Sequence, residues 1–121
     1  MISIQRLFVQ TSTLVTQAGE PVVGYIDLPV GSVLLQYVEH PVETSKFFYL
    51  YASVDSDSTE AMRVPILISK TGDDITDYVD EFTYLTSATR GAVTYHVFYA
   101  QPKYKENYIP ISHNFTENLP S

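Results

Sequence analysis

Apolar and polar residues alternate with a period of two along most of this chain, the pattern of strands that bury one face. The clearest case is the segment 46–69. There Phe48, Leu50, Ala52 and Val54 line one side, and Phe47, Tyr49, Tyr51 and Ser53 the other, because successive side chains in a strand point to opposite faces. After the acidic loop Asp55-Ser-Asp-Ser-Thr-Glu60, Val64, Ile66 and Ile68 form a second apolar row. These two strands are expected to pair as a core hairpin. Pro65 interrupts the second one and cannot donate to a ladder, which calls for an edge, a bulge or an unpaired side.

Five further strands follow from the same pattern. In 2–10, Ile2, Ile4 and Phe8 share one face and Leu7 and Val9 the other, with Arg6 marking an edge strand. Strands at 22–28 and 32–38 flank the turn Pro29-Val-Gly31, whose glycine permits positive φ. The segments 82–87 and 92–101 surround the turn 88–91, and in the latter Val93, Tyr95, Val97 and Tyr99 alternate with Thr94, His96, Phe98 and Ala100. One stretch has helical spacing. Asp73 or Asp74 can cap it, while Ile75, Val79 and Phe82 fall at i, i+4 and i+7.

Periodicity stops after Pro102. The remainder carries Tyr104, Tyr108, Ile109, Ile111, Phe115 and Leu119, more large apolar groups than a disordered tail normally has. It is expected to be extended and docked, on its own sheet or on a neighbouring chain. The expected fold is all-β: a single-domain β-sandwich or small barrel at 1–102 with about 7–8 strands and one short helix, and an extended C-terminal arm at 103–121.

The formal charge of −7 and the absence of a basic cluster argue against nucleic acid, which is bound through clustered cations. The chain of 121 residues has no cysteine, so thiolate metal sites, disulfides and cysteine nucleophiles are ruled out together. His40, His96 and His113 are scattered, which disfavours a histidine-built zinc site. No run approaches the ~18 apolar residues of a membrane-spanning helix. The first residues, Met1-Ile-Ser-Ile-Gln-Arg, do not resemble a secretory signal.

Candidate chemistry is sparse. The acidic loop at 55–60 offers oxygens to calcium but lacks the glycine and the distal glutamate of an EF-hand, Ile66 standing at the latter place. It reads as a solvated loop tip. The group Asp73, Asp74, Asp77, Asp80 and Glu81 fits helix capping and charge near a helix N-terminus. His96, mid-strand, reads as a buried histidine with one hydrogen-bond partner. No G-x-S-x-G elbow and no glycine-rich phosphate loop occurs. No catalytic residue, cofactor site or metal site is therefore assigned, and an enzyme is not expected. The candidate partner-binding residues are the aromatic face, Phe47, Tyr49 and Tyr51, with Tyr95 and Tyr99 near it, and the arm's Tyr104, Tyr108, Ile109, Ile111, Phe115 and Leu119. The aromatic face serves equally as the second half of a two-sided core.

Four pieces resemble, in order and spacing, a short uncharacterised domain of tailed phages. They are Leu28-Pro-Val-Gly31, Phe48-Tyr-Leu-Tyr-Ala-Ser-Val-Asp55, an isoleucine-rich strand ending in Thr71-Gly72, and Tyr95-His-Val-Phe98. The resemblance spans residues 28–99. It departs from that domain where a tryptophan is common and this chain has Tyr49 or Tyr51. It implies a phage setting and no catalytic residue. The expected function is that of a bacteriophage virion structural protein, a capsid decoration or cement subunit. It would bind the major capsid protein or other virion proteins and neighbouring subunits, in many copies on a lattice, within a virion assembled in the host cytoplasm. Two alternatives stay open: a tail, adaptor or fibre-associated component that binds glycans, and a small non-virion phage protein that binds a host protein.

Overall fold

Seven long strands account for most of the residues that the computed structural model describes, namely 1–10, 21–39, 47–90, 92–102, 109–110 and 115–116. They are β1 (Ile2–Gln10), β2 (Val22–Pro29), β3 (Val33–Glu39), β4 (Phe47–Asp55), β5 (Ala61–Lys70), β6 (Thr83–Arg90) and β7 (Val93–Tyr99). Two-residue pieces, β8 (Ile109–Pro110) and β9 (Phe115–Thr116), complete the set. Sheet I has the order β3-β4-β1-β9 and sheet II the order β6-β7-β5-β2-β8. The seven long strands pair antiparallel, and β8 alone runs parallel to its neighbour, β2. Neither sheet closes into a barrel.

The expected hairpin at 46–69 does not form. Its strands, β4 and β5, lie in different sheets, and the acidic loop carries the chain from one layer to the other. β4 pairs along its whole length with β1, from Ile2 opposite Asp55 to Gln10 opposite Phe47, and β5 pairs with β2, from Val22 opposite Ile68 to Pro29 opposite Ala61. The two apolar rows nevertheless meet. Leu50, Ala52 and Val54 of β4 share one buried cluster with Val64, Ile66 and Ile68 of β5, joined by Leu7, Ile26, Leu28, Leu85, Ala88 and Val97. The sheets thus pack through a common core, in which each fully buried aliphatic contributes about 1.5–3 kcal/mol.

β5 is central to sheet II and buried on both faces from Val64 to Ser69. Pro65 is accommodated without an edge. Its carbonyl accepts the Ala100 N–H at 3.1 Å, so its nitrogen also faces β7, just past the end of the β5–β7 ladder at Ile66 opposite Tyr99. The missing donor falls where no ladder partner is required.

Residues 73–81 form a series of turns, not the expected helix; no helix is present among the described residues. The Tyr78 N–H donates to Ile75 at 2.9 Å and the Glu81 N–H to Tyr78 at 3.1 Å. Asp74 accepts both the Thr76 N–H and the Thr76 hydroxyl, at 3.0 and 2.6 Å. The Asp74 contacts are those of a helix N-cap, but β-branched Ile75, Thr76 and Val79 lower the helix propensity of the segment. The apolar stripe is also different. Ile75, Tyr78 and Phe82 pack with Leu67 and Ala100 on the outer side of sheet II, while Val79 is 53% exposed.

The glycine turn expected at 29–31 forms, and a second one follows β5. Gly31 and Gly72 sit third in turns closed by Ser32 N–H to Pro29 and by Asp73 N–H to Lys70, with φ of +92° and +99°. That is the position where a type II turn needs positive φ.

Candidate functional site

Regular antiparallel register decides which side chains share a face, and Leu7, wholly buried against Leu50, sets the parity of β1. Ser3 and Gln5 therefore turn inward, where they hydrogen-bond each other at 3.0 Å. Ile2, Ile4 and Arg6 turn outward. The same parity in β4 buries Leu50, Ala52 and Val54 and places Tyr49, Tyr51 and Ser53 on the outside. In β3, Leu34 packs on the core, so Val33 and Leu35 also face outward.

The outer face of sheet I thus has defined rows. Val33, Ser53 and Ile4 lie side by side across three strands, and Leu35, Tyr51 and Arg6 form the next row. In the opposite direction Asp55 lies beside Ile2. Ile2, Ile4 and Val33 are 73%, 53% and 57% exposed, a concentration of aliphatic surface that marks contact sites more often than chance would give. Tyr51 is buried. Tyr49 is half-buried, with the Arg6 guanidinium 4.2 Å above its ring centre.

The end of this face is acidic. The Met1 amino group contacts Asp55 at 3.2 Å and also Asp57, and both carboxylates raise its pKa, Asp57 foremost. The Asp57 N–H, followed by the amino group, holds the Asp55 carboxyl below its ordinary range.

His40 and His113 lie outside the described residues. His96 is half-buried and has two partners where one was expected: Nε2 meets the Thr71 hydroxyl at 2.7 Å and Nδ1 the Tyr84 hydroxyl at 3.0 Å. Two hydroxyls orient this ring. Asp73 and Asp74 cap turns, Asp73 accepting the Lys70 N–H at 2.7 Å. Among the described residues no three histidine or acidic groups converge as metal ligands. A cleft of about 220 Å3 opens at one end between the layers, bordered by Leu28, Leu34, Met62 and Val64 and by the polar side chains of Ser32, Tyr99 and Gln101.

Of the sequence-predicted contact residues, Tyr49 and Tyr51 share the outer face of sheet I with Arg6. Tyr95 and Tyr99, expected near them, instead pack on the core from sheet II. Phe47 stands opposite Gln10, and its side chain lies outside the described residues. Two backbone pieces of the arm lie on this chain's own sheets: Ile109 pairs with Gly24 of β2 and Phe115 with Leu7 of β1. Tyr104, Tyr108, Ile111 and Leu119 lie outside the described residues. Ile2, Ile4 and Val33 were not singled out from sequence. The available signal was the pair Ser3 and Gln5, whose alternation with Ile2 and Ile4 makes sense only if the aliphatic side is the outer one.

Residues 21–107 match the model of a domain of unknown function, DUF7352. The chain belongs to this family. The matched span runs from the start of β2 past the end of β7, so the DUF7352 region holds all of β2 to β7 and excludes β1 and the last part of the arm. Ile2, Ile4 and Arg6 therefore lie outside it, while Val33, Tyr49, Tyr51 and Ser53 lie within. No curated protein and no solved structure matches the chain.

Proposed function

We propose that this chain is a structural, protein-binding module of a tailed-phage virion, a decoration or cement subunit on the major capsid protein. The observation that carries the reading is the outer face of sheet I, where Ile2, Ile4 and Val33 present aliphatic surface next to Tyr49 and Arg6. Such a surface gains free energy by being covered, roughly 25 cal/mol for each Å2 of apolar area removed from water. The resemblance of residues 28–99 to an uncharacterised tailed-phage domain supplies the setting. The sandwich-like packing of two sheets on one core suits a subunit that acts by contact. Its C-terminal arm would reinforce its own sheet edges through β8 and β9 and extend contacts to neighbouring subunits from the remainder of 103–121. Many copies on a lattice make individually weak contacts sufficient through avidity.

Mass spectrometry of purified particles tests the reading. The protein is expected in high copy, and removal of residues 103–121 is expected to weaken its retention. Absence from the particle contradicts the virion role.

A further inference from the structure

The cleft between the layers is where the shared core reaches solvent. Leu28 and Val64, both buried in that core, line it together with Leu34 from sheet I and Met62 and Tyr99 from sheet II. Backbone hydrogen bonds fix the segments that frame it. The Ser32 N–H donates to Pro29 at 3.1 Å and closes the turn after β2, and the Val30 N–H ties that turn to Glu60, just before β5, at 2.8 Å. The chain beyond β7 is held by the Ala100 N–H on the Pro65 carbonyl. A frame fixed in advance lowers the ordering cost of binding.

An apolar wall with a few polar groups is the usual make-up of a small-molecule site, and here both parts restrict the ligand. No charged residue borders the cleft among the described residues, so a charged ligand would lose hydration with no ion pair to offset it. The Ser32 hydroxyl donates to the Pro29 carbonyl at 2.6 Å, which leaves its oxygen as an acceptor; the Tyr99 hydroxyl and the Gln101 amide oxygen accept as well. The ligand must therefore bring a donor. The Met62 thioether and the Tyr99 ring favour an aromatic body over an aliphatic one. A dry apolar cavity of ~150 Å3 holds a benzene ring, so about 220 Å3 suits a single ring with small substituents. We propose that the cleft binds a small neutral aromatic molecule with a hydroxyl or N–H donor, of the size of a substituted phenol. Its ring rests against Met62 and Tyr99, and its donor meets the acceptors at the border. This goes beyond the contact reading and does not depend on it.

Titration of the full chain with p-cresol and, separately, with toluene, followed by methyl NMR, is the test. Saturable shifts are expected at Leu28, Leu34, Met62 and Val64, with p-cresol binding at least about 3-fold more tightly than toluene because only it carries a donor. Met62→Trp, which fills the cleft, is expected to abolish saturation; if that variant unfolds, Leu34→Trp serves instead. Val79→Trp, at an exposed position away from the cleft, is expected to bind as wild type does. Combining Tyr99→Phe with Gln101→Leu is expected to lower the preference for p-cresol and to leave toluene binding within about 3-fold of wild type. Four results overturn the proposal: no saturable binding of p-cresol, shifts centred outside the cleft, undiminished binding by folded Met62→Trp or Leu34→Trp, or a preference for p-cresol that is absent in wild type or unchanged in the folded double variant.

Discussion

β4 and β5 are both interior strands with alternating apolar residues, yet their outer sides differ. Behind β5, Leu67 is covered by Phe82 and Ala100, with Ile75 and Tyr78 packed against them. The turns at 73–81 thus serve as a lid that sheet II supplies to itself. Behind β4, Ser53 has Val33 and Ile4 in its row among the described residues, and both are more than half exposed. The fold covers the outer face of sheet II at Leu67, whereas on the outer face of sheet I it buries Tyr51 and leaves Ile2, Ile4 and Val33 exposed.

The largest expected effect lies under the lid. Phe82→Ala removes the ring at its centre, where Phe82 is 7% exposed, and should cost about 3–5 kcal/mol in urea unfolding. Leu67→Ala beneath it should cost about 2–5 kcal/mol. A loss below ~1 kcal/mol for both would mean that the turns only rest on sheet II, and the contrast between the faces would collapse. On sheet I the Arg6–Tyr49 stack should show a coupling of about 0.5–1 kcal/mol in a double-mutant cycle. Ile4→Thr, at an exposed strand position, should change stability by less than ~0.5 kcal/mol. A loss as large as that of Leu67→Ala would place Ile4 in the core.

The smallest effect concerns the lid's own turn. The Thr76 hydroxyl, then its backbone N–H, hold Asp74 below the ordinary carboxylate value of 3.8. A depressed carboxylate stabilises the fold above that value, and the contribution disappears as pH falls through the lower folded value. The advantage of wild type over Asp74→Ala in thermal midpoint should be constant at neutral pH and shrink only below about 3.8. An advantage that grows on acidification would reverse the sign.

Strand positions were legible in the sequence because period-two alternation is a local property. The parity of β4 followed directly from Leu50, Ala52 and Val54. Pairing was not legible: the loop 55–60 has turn residues whether it closes a hairpin or crosses between layers, and only the long partners β1 and β2 decide the matter. The helix expectation failed because the spacing of Ile75, Val79 and Phe82 is a local signal, while packing on sheet II uses Ile75, Tyr78 and Phe82 and leaves Val79 exposed. At the candidate site Tyr49 and Tyr51 were visible as an aromatic row. The neighbours that give the face its character were not, since Val33, Ser53 and Ile4 meet only through register across three strands.

Covalent footprinting of the full chain tests the asymmetry of the two faces most directly. Ile2, Ile4 and Val33 should label as readily as Val79 and Tyr84, which are exposed elsewhere on the molecule, while Leu67 and Phe82 should be protected. Protection of Ile4 and Val33, or labelling of Leu67 and Phe82 equal to theirs, would contradict the account.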